Sequence, residues 1–182
     1  MIRTIAFATF AAFPVTLPYA QEVAPYLDDR STAERVVASL YNAVNRQEYL
    51  RAHSYFAPRT APDLSAFREG YATTQSVRLR HGEVIAEGAA GTLLFAVPVV
   101  IEAVTTEGSA VYTGCYRLSQ VQPAAQELPP FRPIGIDSGQ LSESDTPFDT
   151  AMGTCDLQRP IVHVLPYASS TSRSEVFLQQ SV

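Results

Sequence analysis

Apolar and polar positions alternate most regularly between residues 67 and 121, where three strands separated by Gly-containing turns are predicted. Over residues 76–85, Val77, Leu79 and His81 share one face and Arg78 and Arg80 the other. A period of two marks a half-buried strand. Glu87-Gly-Ala-Ala-Gly91 supplies a turn, with two glycines free to take positive φ. Residues 92–104 are apolar on both faces: Leu93, Phe95, Val97, Val99 and Ile101 alternate with Leu94, Ala96, Pro98 and Val100. Such a strand is covered on both sides and is expected at the sheet centre. Pro98 has no N–H for the ladder, so a kink is expected there. After Glu107-Gly-Ser109, residues 110–121 make the third strand, with Tyr112, Tyr116 and Leu118 facing inward and Cys115 and Arg117 outward.

Upstream the period changes to that of helices. Ser31-Thr-Ala-Glu34 has the capping-box spacing, and Val36, Leu40 and Val44, widened by Val37 and Tyr41, make residues 32–45 an amphipathic helix. Asn45-Arg46 breaks it. Short helices follow at 47–56, with Tyr49, Ala52, His53 and Phe56 along one face, and at 62–69, where Gly70 is the expected cap. Downstream, Pro123, Pro129, Pro130 and Pro133 oppose a long strand. A short strand is expected at 131–136, an exposed polar loop at 137–154, another short strand at 161–165 and a frayed tail from 168.

Residues 1–20 read as a secretory signal peptide, with Arg3 before a short apolar core and a Pro14–Pro18 break before Tyr19-Ala20. The core is too short to span a bilayer. The expected organisation is therefore a signal peptide at 1–20, a linker at 21–30, one domain at 31–138 and a partly disordered extension at 139–182. The mature chain would be periplasmic or secreted. A chain of 182 residues, 46% of them hydrophobic, suffices for one domain with a real core. Its net charge of −5 gives no electrostatic basis for binding nucleic acid. All 13 basic residues are arginine, which removes Schiff-base chemistry, pyridoxal phosphate attachment and Walker-type phosphate loops.

Cys115 and Cys155 are the two cysteines, and an exported chain with an even count usually pairs them. With Cys115 on the outward face, the bridge would staple the polar segment across the outside of the sheet. The alternative, a thiol nucleophile, has no His-supported Cys motif in its favour. His53, His81 and His163 stand apart with no metal-ligand spacing, and Gly-x-Ser-x-Gly is missing. No cofactor or metal is expected.

Leu40-Tyr-Asn-Ala-Val-Asn-Arg-Gln-Glu-Tyr49, a helix, a break and an aromatic helix, and then Gly70-Tyr-Ala-Thr-Thr74 resemble the start of NTF2-like domains. Glu87–Gly91 with Val97-Pro-Val99, and Gly114-Cys-Tyr116, are similar to exported bacterial members of that superfamily. The likeness spans residues 31–121. It implies an α+β fold, with helices packed in the concave face of a bent antiparallel sheet that forms a cone with a mouth. Such cones serve isomerases, dehydratases and hydrolases as well as binding modules, and often dimerise through the outer sheet face. Under this resemblance Tyr41, Tyr49, His53, Tyr112 and Tyr116 are the pocket candidates, with Tyr55 beside them.

A histidine and tyrosine hydroxyls suit acid–base chemistry. Such a site would also want a carboxylate in the cone, and no Asp or Glu falls on the inward strand faces; Glu102 lies opposite Ile101. The leading expectation is an exported non-catalytic protein that binds a small apolar ligand or a protein partner. The alternative is a cofactor-independent acid–base enzyme of the isomerase or dehydratase type.

Overall fold

The computed structural model describes residues 24–156. The expected signal peptide, the strand at 161–165 and the tail from 168 lie outside the described residues. The architecture is α+β, an NTF2-like cone. Helices α1 (Ala33–Asn45), α2 (Tyr49–His53) and α3 (Leu64–Gly70) precede strands β1 (Thr74–His81), β2 (Ile85–Ala89), β3 (Thr92–Thr105), β4 (Ser109–Val121) and β5 (Gly135–Ser144). The sheet is antiparallel with order β1-β3-β4-β5, and β2 also pairs with β3.

The apolar stripe of α1 fills the concave face. Val36, Val37 and Leu40 have no exposed surface, and they pack in one cluster with Val97, Val99, Ile101, Tyr116, Leu118 and Ile136. Burying each such side chain stabilises by about 1.5–3 kcal/mol, more than a helix cap contributes. The cap differs from expectation. Thr32 is the N-cap and makes no side-chain cap bond, while the Ser31 hydroxyl donates to Asp29 Oδ1 at 2.6 Å. Asp63 caps α3 by accepting from the Ala66 N–H at 2.9 Å, and Gly70 is the last helical residue rather than the residue beyond it.

Pro98 acts on its neighbour rather than on its own strand. β3 runs through it unbroken, but the expected single strand over 76–85 is split. The Gly82 N–H donates to the Pro98 carbonyl, so Pro98 turns its missing donor toward that edge. The edge parts there into β1, paired with Val99–Thr105, and β2, paired with Thr92–Ala96. The expected turn over Glu87–Gly91 is shorter than predicted. β2 extends to Ala89, and Ala90 (φ 43°) and Gly91 (φ 82°) alone reverse the chain. Two consecutive positive φ angles are the hairpin geometry that matches strand twist.

Two corrections concern the C-terminal half. The short strand expected at 131–136 begins only at Gly135, and the loop expected from 137 is instead strand β5, running to Ser144 and so past residue 138. Its polar sequence carries few apolar residues because it needs little cover. Ile136 and Leu141 join the core, and Gly139 lies beneath the Tyr116 ring, where a Cβ would come within 2.5 Å of Tyr116 Cε1. The start of β5 is tied to the chain after α2, with the Ile136 N–H donating to the Tyr55 carbonyl and the Ala57 N–H to that of Ile136.

Residues 145–156 cross the outer face as a strap. Phe148 and Ala151 pack on Val100, Arg78 lies 4.3 Å above the Phe148 ring, and Arg80 donates to the carbonyls of Asp149 and Ala151. Gly153 sits directly on the Val99 backbone, with no room for a Cβ. Cys155 is bonded to Cys115, whose outward orientation agrees with the strand pattern. The expected disulfide is present. Residues 24–30, expected as a linker, lie along α1: Asn42 donates to the Pro25 carbonyl and accepts from the Leu27 N–H, and buried Ser39 accepts from the Asp29 N–H.

Candidate functional site

Within the cone, Tyr41 of α1 meets Tyr116 of β4, their hydroxyl oxygens 2.6 Å apart and their rings edge-on at 6.2 Å. The strand register accounts for this, because Tyr116 is on the even, inward face that turns toward the buried stripe of α1. Burial raises the Tyr41 pKa well above its usual range, and Tyr116 and Tyr71 reinforce the shift. Burial likewise pushes Tyr116 up to about 12, opposed by its bond to Tyr41. The Tyr71 hydroxyl, also raised by burial, lies within reach of the pair. All three are neutral phenols at physiological pH. No carboxylate or histidine is buried among the described residues; besides tyrosine hydroxyls, the buried polar side chains there are Ser39 and Ser138.

The other candidates are not assembled with that pair. Nε2 of His53 donates to the Pro62 carbonyl at 2.8 Å, and the ring packs against Phe56 and Phe67. The residue therefore ties α2 to the segment before α3. Tyr49 reaches the Tyr71 carbonyl at 3.5 Å. Tyr112 is half-buried, two strand repeats from Tyr116 on the same face, and its pKa is raised by burial and by Glu143 opposite it on β5. Tyr55 donates to Asp28 Oδ1. Glu102 is on the outer face, bonded to Arg78 at 2.8 Å. No group of three metal-ligating side chains occurs among the described residues, and no helix there is long and apolar enough to cross a membrane.

A hollow of about 410 Å³ opens on the helical side, between the α1–α2 turn and α3. Pockets that hold small ligands run from about 300 to 1,000 Å³. Gln47, Tyr49, Leu50, Leu64 and Arg68 line it together with Glu48 and Arg51. The turn ends α1 by donating the N–H of Gln47 to the Val44 carbonyl and that of Glu48 to the Ala43 carbonyl. That pattern needs a left-handed residue, usually glycine, at the first position beyond the cap. Gln47 occupies it at φ 57°. Glu48 is held on both oxygens, by Arg46 at 2.8 Å and Arg51 at 2.5 Å, which keep its carboxyl below its usual range. Arg51 also bonds the Leu27 carbonyl, the Tyr55 hydroxyl and Asn42. Arg68 is exposed, and its guanidinium has no hydrogen bond or ion pair among the described residues.

Of these residues the sequence reading singled out Tyr49 alone. The break at Asn45-Arg46 was a signal for the turn, but nothing in the sequence placed α3 against it. Tyr71 falls in Gly70-Tyr-Ala-Thr-Thr74, where no helical or strand period marks it as a third interior hydroxyl.

The sequence matches no protein-family model and no curated protein. Solved structures of similar shape include a variant of Rv3472 from Mycobacterium tuberculosis, of unknown function, at 14% identity and TM-score 0.44, covering 61% of this chain and 69% of that one. A candidate scytalone dehydratase from Novosphingobium aromaticivorans is similar at 10% identity and TM-score 0.45, over 70% and 92% of the two chains. The Kfla4162 protein of Kribbella flavida is similar at 11% identity and TM-score 0.46, over 64% and 90%. No reaction or ligand passes to this chain from similarities of that size.

Proposed function

We propose that the chain is an exported, non-catalytic binding protein, and that its small ligand or protein partner engages the helical side of the cone rather than the interior. The contact between Tyr41 and Tyr116 carries this reading. It fills the place where an acid–base site would sit with hydroxyls that stay protonated, and His53 spends Nε2 on a backbone carbonyl. General acid–base catalysis needs a group whose pKa lies near the working pH. The Cys115–Cys155 bridge supports export, since disulfides persist in oxidising compartments. The strap occupies part of the outer sheet face, and a homodimer through that face would have to accommodate it.

The test is a small-molecule screen by amide NMR on the oxidised chain lacking residues 1–20, with each hit also assayed for conversion. Hits that shift amides around Gln47–Arg51 and Leu64–Arg68 and are recovered unchanged are expected. Hits that shift the neighbours of Tyr41, Tyr71 and Tyr116 and are turned over would establish the isomerase or dehydratase alternative instead.

A further inference from the structure

The geometry points to the hollow between the α1–α2 turn and α3 as a site for a small organic anion, a carboxylate carried on a compact apolar or aromatic body. This inference rests on the reading that the helical side is the binding face. The negative charge within the hollow is already spoken for, because Arg46 and Arg51 hold both oxygens of Glu48. Arg51 in turn spends four of its five N–H donors on Glu48, Leu27, Asn42 and Tyr55. The uncommitted charge on the lining is therefore the Arg68 guanidinium, whose planar fork suits a carboxylate.

The body of the ligand is specified separately. Leu50 is 70% exposed, and with Leu64 it gives the hollow an apolar wall. Tyr49 adds an aromatic one. Gln47 supplies an amide with no hydrogen bond of its own among the described residues. It does so from a left-handed backbone that glycine would adopt without strain. Strain held by a polar side chain at the rim of a hollow is the pattern of a residue kept for its side chain. A cationic ligand would meet Arg68 unfavourably, and a neutral one would leave it unpaired.

The experiment uses the oxidised chain lacking residues 1–20, labelled with ¹⁵N and titrated separately with sodium benzoate, benzyl alcohol and benzylamine at low salt. Benzoate is expected to shift the amides of Gln47–Arg51 and Leu64–Arg68 to saturation. R68Q should weaken it roughly tenfold, the loss of one charge-assisted contact, and benzyl alcohol should bind the wild-type chain roughly tenfold more weakly. Arg68 is exposed, so an unchanged melting temperature will show that R68Q folds. Equal binding of the alcohol, or R68Q with undiminished affinity, would overturn the anion assignment while leaving the hollow as the binding face. Shifts confined to the interior tyrosines would overturn both. No shift at the hollow with any of the three probes would overturn the proposed site, leaving the wider screen to decide the binding reading.

Discussion

Removing the Cys115–Cys155 bridge should be the most costly single change available on the outer face. The bond closes a loop of 40 residues. Loop-closure entropy for that length corresponds to about 4 kcal/mol removed from the unfolded state's advantage. For a folded region of this size, that loss should lower the melting temperature by roughly 12–16 °C. C115A/C155A should show it in urea as a lower midpoint with a nearly unchanged slope, provided the strap stays docked. Docking without the bridge has its own support: Phe148 is 6% exposed, and Arg80 holds the carbonyls on either side of Thr150. Thermal and urea unfolding of the wild type, of the reduced wild type and of the double variant make the comparison. A fall below about 3 °C in both bridge-free forms would refute the reasoning, since the bridge would then not be what confines residues 145–156.

The remaining predictions follow from particular contacts. Q47G should raise stability by about 0.5–1 kcal/mol, because glycine adopts the left-handed turn freely, and urea unfolding would read it. Y116F should cost about 1–2 kcal/mol by leaving the buried Tyr41 hydroxyl short of a partner. Y41F/Y116F should lose less than the sum of the two single variants, a coupling that a double-mutant cycle measures directly. Stability should also fall in alkali. The interior tyrosines have folded pKa values above their unfolded value, so their contribution is complete below about pH 10 and is lost as the pH rises toward and through the folded values. The slope should reach about 1.4 kcal/mol per pH unit for each such tyrosine, which denaturant melts between pH 9 and 12 would detect.

Much of the sheet was legible because its signals are local. β3 is apolar on both faces and is central; the parity of β4 placed Tyr116 inside and Cys115 outside, and both positions hold. β5 was not legible, because an edge strand buried chiefly through Ile136, Ser138 and Leu141 has almost no alternating apolar pattern to read. Its pairing is fixed by the other side, through the Tyr116 ring over Gly139. Pro98 was correctly seen as a missing donor, but which neighbouring strand would lack the bond is a matter of register, and the sequence is silent on that. The pocket candidates fared according to the same distinction. Tyr41 and Tyr116 meet because each lies on a strongly patterned face. His53, Tyr49 and the hollow depend on how two short helices pack, and Arg68 carries no periodic signal at all. Residues 24–30 read as a linker for a similar reason, since their bonds to Ser39, Asn42 and Arg51 come from polar side chains that a hydrophobic pattern ignores.

The central claim is that the cone interior is packed protein and not a solvated catalytic pocket. The measurement that meets it most directly is an NMR pH titration of the tyrosine ¹³Cζ resonances, assigned for Tyr116 and Tyr41 with the single phenylalanine variants. An exposed tyrosine would be half ionised near pH 10. The account expects Tyr116 to remain neutral well beyond that point, with a midpoint of about 12, and Tyr41 to outlast it or to ionise only as the fold is lost. A midpoint at or below about 10 for either residue would mean that water reaches the interior hydroxyls, and the closed-cone account would be wrong.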